Sequence, residues 1–448
     1  MKKNNWSLIL LGILCACILS WCLFRDVRIS KQYGSDLRNR IVGARLQMDG
    51  KLPYFYYWRP AHGVRYYDPL QKDTTYANAI TGSPFFHHLL YPIANLPQRQ
   101  IARIWLAVQY GLLIASMLIA FSFTKNVRQR WAVAISGMMF LFTTAWVENI
   151  HVSQIYLLYP FLCLAFIYFF RRPDNLFFSF FAGLTAISLV LARPTMVLFF
   201  IPFLLLINRY SLKYLLVFFT PVIVLLGYFF FNKMERSFWI DYKKSLAAQV
   251  KDHQSGTFGV RNMAFKPKFH YEKWEGWNSD SIRKEKLLYP IKFKLEFAGV
   301  KSIAKNLFKK RMSTKELTYS FAIISVLLIT LFVIKRWKDP SMDFAIAAIF
   351  GFCLYMLSDL LSPIIRPQYN TVQWIFPLLF CASFYDRRYK TFHLLLTLGL
   401  VLNVLTISQI KMRHTLGEYL ILFTLLWFSF FYKPINKPAI AANTAPSP

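Results

Sequence analysis

The stretch SLILLGILCACILSWCLF, residues 7–24, carries no charged side chain and follows Lys2 and Lys3. At 1.5 Å per residue a helix of that length reaches about 27 Å, close to the ~30 Å hydrocarbon core of a bilayer. Lys2 and Lys3 before an apolar run also suit a secretory signal, and Leu14-Cys15-Ala16-Cys17 is similar to a lipoprotein cleavage box. The run continues past Cys17 to spanning length, so it is expected to remain as a signal anchor.

Comparable apolar stretches recur at 101–123, 131–147, 153–170, 175–192, 194–208, 212–231, 318–335, 342–359, 372–385, 391–409 and 418–432. They predict an all-α polytopic membrane protein, a bundle of about 12 transmembrane helices. The composition agrees: of 448 residues, 56% are hydrophobic and 18% aromatic. A soluble domain lacks repeated apolar runs of spanning length.

In a soluble protein the formal net charge of +32 would suggest nucleic acid. In a membrane protein Lys and Arg collect in cytoplasmic turns and beside anionic headgroups, so membrane lipids are the expected partner and nucleic acid is not. The six cysteines, Cys15, Cys17, Cys22, Cys163, Cys353 and Cys381, all fall inside apolar stretches. They read as small buried residues with no stapling role in an exported loop.

Placing Lys2 and Lys3 in the cytoplasm makes every second connection cytoplasmic, and each of these is basic: Lys125 to Arg130, Arg171 to Arg172, Arg209 to Lys213, Lys335 to Lys338, Arg387 to Lys390, and the tail with Lys433 and Lys437. An odd miscount of spans would spoil that pattern. The basic inner turns suit a bacterial inner (plasma) membrane with the N-terminus in the cytoplasm. Two long loops, 25–100 and 232–317, then lie on the periplasmic or outer face. Both carry helical amphipathic patterns, Leu37, Ile41, Ala44, Arg45, Met48 in the first and Phe238, Tyr242, Leu246, Val250 in the second, which predict interfacial helices. Residues 1–435 form one domain in this reading, and 436–448, rich in Ala, Pro and Asn, a disordered cytoplasmic tail.

No Asp, Glu, Lys or Arg sits in the middle of an expected span. Polar groups gather instead at the outer ends: Asp36, Arg38, Arg40, Arg45, Glu148, Asn149, His151, Gln154, Arg193, Asp359, Arg366, Gln368 and Arg413. An ion-coupled transporter holds its ion near the midplane, so chemistry is expected at that face. Asp36 has two readings, a carboxylate favoured by a helix N-terminus or paired with Arg38 or Arg40, and a catalytic acid or base. Arg193 before Pro194 and Arg366 before Pro367 could converge on a phosphate, or each could reach to headgroups. Adjacent His87 and His88 do not share a helix face and no metal-binding spacing occurs, so no metal is expected there. Nucleotide-cradling loops of the Walker or GxGxxG kind are absent, which favours a donor delivered by the membrane.

Asp36, then Ile41 to Gly50 and Lys51-Leu52-Pro53-Tyr54, resembles the Asp, helix, Gly and Tyr order that follows the first span in the bacterial α-1,2-mannosyltransferase-like family of the GT-C superfamily. Ser83-Pro84-Phe85 and Tyr91 to Pro97 are similar to the family's next marks, Asn149 to Gln154, with a different spacing, to its Asn-x-x-Gln, and Ser362-Pro363 with Phe376-Pro377-Leu378 to its late Ser-Pro turn. Where the family carries a His pair in that turn, this chain has Gln368 and Tyr369.

The resemblance implies a GT-C-like bundle and an enzyme that moves a sugar, mannose or another hexose or pentose, from a polyprenyl-phosphate donor to a lipid-linked or cell-envelope glycan acceptor. It assigns Asp36 as catalytic base. The residues then expected at the donor phosphate are Arg193, Arg366, Gln368 and Arg413, and those at the sugar or acceptor are Arg38, Tyr54, Glu148, Asn149, His151, Gln154 and Tyr369. No cofactor is expected, and a need for a divalent cation is left open. The competing classes are a lipid-linked sugar flippase, which requires a polar cavity through the bilayer, and a catalytically silent partner in envelope assembly.

Overall fold

Short polar side chains set where the helices begin. Ser83 accepts from the Phe86 amide at 3.2 Å, with Pro84 in the first helical position. Thr143 accepts from Trp146 N at 3.1 Å and Asp343 from Ile346 N at 3.0 Å. Ser313 and Glu316 close a reciprocal capping box. Each cap satisfies an amide that the first turn leaves without a partner.

The computed structural model describes residues 3–30, 34–67, 80–172, 175–254, 298–337, 342–364, 366–384, 389–404 and 412–432, with Lys273–Trp274, Trp277–Asn278, Asp339 and Asp386. The tail 436–448, most of the second loop and parts of several basic turns (Lys338, Arg387, Lys433, Lys437) lie outside the described residues.

The chain runs α1 (Lys3–Ser30), α2 (Ser35–Met48), α3 (Pro84–Ala94), α4 (Gln98–Ser122), α5 (Val127–Phe140), α6 (Thr144–Val152), α7 (Leu158–Phe170), α8 (Leu176–Ala192) and α9 (Val197–Phe200). It continues with α10 (Leu212–Phe231), α11 (Lys233–Gln254), α12 (Val300–Leu307), α13 (Thr314–Arg336), α14 (Phe344–Leu360), α15 (Ile375–Ser383), α16 (Lys390–Val404) and α17 (Arg413–Phe431). Tight 3-10 turns flank α9 on both sides and precede α15 at Gln368–Trp374. A two-residue antiparallel ladder pairs Lys273–Trp274 with Trp277–Asn278.

Among the described residues α1, α4, α10, α13 and α17 are long and apolar enough to cross a membrane, and a sixth span follows if α5 and α6, bent by 57° at their junction, count as one. The other apolar stretches form shorter helices. The expectation of about twelve spans is therefore supported only to five or six. The physical reason is interruption: Pro194 and Pro202 open successive 3-10 turns, and α7 has 13 residues, about 20 Å of helix. In α1, α10 and α13 no more than 17% of the apolar window is buried, so their flanks are the surface that lipid covers.

Inside the bundle, helices meet backbone to backbone at glycine. A Cβ on Gly183 of α8 would fall 1.9 Å from the Phe218 carbonyl oxygen of α10, and one on Gly351 of α14 would fall 2.1 Å from that of Phe199 in α9. Close approach through small residues is how helices associate where lipid removes the hydrophobic drive.

α2 departs from the sequence expectation. An interfacial helix shows a wet face, yet residues 37–47 are all buried. The polar face is covered by the chain that follows: Arg38 donates to the Tyr67 carbonyl at 2.9 Å, and Arg45 donates to those of Ala94 at 2.6 Å and Arg65 at 3.1 Å. The turn out of α2 needs Gly50, whose φ of 68° is left-handed. α11 keeps Phe238 buried and Tyr242, Leu246 and Val250 half-buried, as its amphipathic pattern predicts.

Candidate active site

Asp36 lies in the first turn of α2, half-buried, and accepts a hydrogen bond from the Gln154 side-chain amide. Local backbone chemistry aims Gln154. α6 ends at Ser153, whose φ of 55° is left-handed, and Gln154 N returns to the Asn149 carbonyl at 3.0 Å. Behind it Gln109 of α4 donates to the Gln154 carbonyl at 3.0 Å and accepts from Asn149 Nδ2 at 3.0 Å. Asn149, Gln109 and Gln154 thus form a buried amide relay ending on Asp36. Such a relay holds a carboxylate in one place, because releasing any member would leave a buried polar group unbonded.

Tyrosines pack beyond it. The rings of Tyr156 and Tyr369 stack with centroids 5.5 Å apart. Asp36, Arg40 and Glu148 all act electrostatically on the Tyr369 phenol, and its pKa is raised well above the ordinary value by burial first and by the Asp36 charge next. It stays a hydrogen-bond donor. Tyr242 of α11 meets Tyr54 at 5.4 Å, and Tyr54 donates to the Gly82 carbonyl at 2.9 Å.

The second cluster is ionic. Arg193, at the end of α8, lies over three aromatic rings, Tyr156 and Tyr355 at 5.3 Å and Tyr159 at 5.6 Å from the centroids, and bonds Asp359. Arg366 donates to Asp359 at 2.7 Å and to Glu418 at 2.7 Å. Glu418 also accepts from Thr371 and, at 2.8 Å, from Trp374 Nε1. Burial opposes the Arg366 charge, but Glu418 and Asp359 hold its pKa above the ordinary arginine value. Two guanidinium groups and two carboxylates make this network neutral, and it ties α8, α14, the Gln368–Trp374 turn and α17 together at the α2 end.

The structure therefore brings together Asp36, Gln154, Asn149, Tyr369 and Arg193, with Glu148 in electrostatic reach of Tyr369. Gln368 is buried with its amide nitrogen unbonded among the described residues. Arg38 and Tyr54 serve the wall of the first loop. His151 is half-buried in the last turn of α6. Arg413 donates to His414 at the start of α17. His87 and His88 both reach Gln47, and His88 bonds Glu235 at 3.0 Å. Among the described residues no group of three or more His, Cys, Asp or Glu could hold a metal ion.

Sequence reasoning left out Gln109, Glu418, Tyr156, Tyr242 and Tyr355 as site residues. Gln109 had a readable signal, an amide inside an apolar span. Glu418 stood at the edge of one, where a carboxylate passes for an interface charge.

Apolar helices with lipid-facing flanks, closing at one end on a carboxylate, an amide relay and stacked tyrosines, define a multi-pass membrane protein with a built polar site. The chain matches the model of glycosyltransferase family 87 over residues 81–363, and it belongs to that family: it is a membrane glycosyltransferase. The matched segment holds Asn149, Gln154, Arg193 and Asp359 and begins after α2, so Asp36 lies upstream of it. No curated protein and no solved structure matches the chain.

Proposed function

We propose that the chain is a GT-C-type, inverting glycosyltransferase that takes a sugar from a polyprenyl-phosphate donor at the outer face of the bacterial inner membrane, with a lipid-linked or cell-envelope glycan as acceptor. Mannose is the sugar that the family resemblance favours. The observation that carries this reading is the hydrogen bond from Gln154, inside the family-matched segment, to Asp36, outside it.

Asp36 is the general base. The acceptor hydroxyl oxygen bonds to the anomeric carbon as its proton passes to the Asp36 carboxylate. The bond from that carbon to the phosphate oxygen breaks, and its electron pair stays on the lipid phosphate. One displacement inverts the centre, and no second carboxylate is required. The Tyr156–Tyr369 stack offers an apolar ring face and phenol donors to a sugar. Arg193 and Arg366 hold the wall, since their charges are already balanced by Asp359 and Glu418.

The test compares lipid-linked glycans, by mass spectrometry, from a deletion strain complemented with the parent or with Asp36→Asn. The expected result is that Asp36→Asn inserts normally and accumulates the same unextended acceptor as the deletion. An inserted Asp36→Asn that restores the full glycan would sink the assignment.

A further inference from the structure

α2 carries three arginines, and the structure treats one differently. Arg38 and Arg45 each donate to backbone carbonyls. Arg40 is 6% exposed, and its Nε and Nη1 are buried without a hydrogen-bond partner among the described residues. Instead of a carboxylate it meets the Phe86 ring, 6.0 Å from its centroid, and the Gly82 backbone, where an added Cβ would lie 3.6 Å from Arg40 Cγ.

A buried guanidinium with unbonded nitrogens costs free energy, because those nitrogens have lost water and, among the described residues, gained no hydrogen-bonded counter-ion. Such a group persists where an anion completes it, and its planar fork fits a phosphate. The location selects the anion. Arg40 stands one helical turn beyond Asp36 on the same face of α2, and its charge acts on the phenols of Tyr242 and Tyr369, the second of which also feels Asp36. Arg193 and Arg366, two of the three arginines expected to meet a phosphate, sit in the neutral network with Asp359 and Glu418.

Building on the glycosyltransferase reading, we propose that Arg40 binds the donor's lipid phosphate, so that one helix presents the base and the leaving-group cation a single turn apart. The bond to the sugar breaks as negative charge grows on that phosphate oxygen, and a fixed cation there is worth most in a water-poor site. α2 is then a single rigid ruler for the reaction, which gives the burial of residues 37–47 a purpose.

The test uses the full chain in nanodiscs of zwitterionic lipid, with a short-chain polyprenyl phosphate lacking sugar as the probe. The same-length polyprenol, inorganic phosphate and phosphatidylglycerol serve as comparison arms. For Arg40→Met the expected result is an affinity for polyprenyl phosphate lower by about 10–100-fold, the range for a lost charged hydrogen-bonded contact, with polyprenol binding unchanged. Without ligand the variant is expected to melt higher than the parent, since an unpaired buried charge has been removed. A purely structural arginine would give the opposite sign, so an Arg40→Met variant that melts lower or fails to fold overturns the proposal. It is also overturned by unchanged polyprenyl-phosphate affinity, or by phosphatidylglycerol or inorganic phosphate binding as tightly and with the same dependence on Arg40. Asp36→Asn separates the two readings: it is expected to keep polyprenyl-phosphate binding while losing transfer. Retained transfer would overturn the assigned reaction and leave the phosphate site to stand on its binding data.

Discussion

Removing Glu418 tests whether the network of Arg193, Asp359, Arg366 and Glu418 is architecture or a phosphate receptor. Glu418→Gln keeps the shape and a carbonyl acceptor for Thr371 and Trp374 but leaves the cluster with one positive charge in excess. Arg366 is 2% exposed, so water cannot compensate. Breaking a buried pair by deleting one partner costs about 3–5 kcal/mol. Arg366→Met carries a cost of the same order, because it strands Glu418. The double variant deletes one charge of each sign and leaves Arg193 with Asp359, a balanced pair. Its cost is expected to fall well below the sum of the single costs, with a coupling of roughly 3 kcal/mol. The assay is a double-mutant cycle of unfolding free energies in mixed micelles, followed by tryptophan fluorescence. Additive single costs, or a Glu418→Gln cost under about 0.5 kcal/mol, would refute the view that the network is a closed, neutral tie. Any transfer activity regained by the double variant would further separate these arginines from the donor phosphate.

Three other outcomes are expected. Gln154→Leu, which releases Asp36 from its relay, should lower kcat about 10–100-fold with a smaller change in KM, measured with membranes of matched protein content; Gln109→Leu should act in the same direction. Gly183→Ala and Gly351→Ala should each cost at least about 1–3 kcal/mol by forcing helix backbones apart, whereas Gly111→Ala and Gly227→Ala, inside helices where the Cβ would meet nothing within 4 Å, should stabilise by about 0.5–1 kcal/mol in the same unfolding assay. His87 is held neutral, its pKa lowered from 6.5 to about 3 by burial first, with Arg40 adding to the effect. The unfolded chain takes up a proton on this histidine below pH 6.5 while the native protein does not until about pH 3, so stability falls as pH drops through that window. Melting midpoints at pH 7 and 4.5 should differ less in His87→Asn than in the parent.

The helical class and the membrane as solvent were legible in residues 7–24 and their repeats, because hydropathy is a local property of the chain. So were the ends where polar groups gather, since a charge in mid-span costs too much to be common. Asp36 could be singled out from its place after the first span, but as one of two readings. Its hydrogen bond to Gln154 spans 118 positions and depends on a left-handed serine and a glutamine on a third helix. No local pattern encodes that.

Pairing is what the tertiary structure decided. Arg38, Arg40 and Arg45 look alike in sequence, and Arg193 and Arg366 look like phosphate ligands. Folding gives Arg38 and Arg45 carbonyls and Arg193 and Arg366 carboxylates, and among the described residues it leaves Arg40 buried with two nitrogens unbonded. A side chain's charge is written in the sequence, but whether that charge is already neutralised depends on residues brought together from 166 positions away, as Arg193 and Asp359 are. Chemistry belongs to the charges that folding leaves unanswered, and only the packed molecule shows which ones those are.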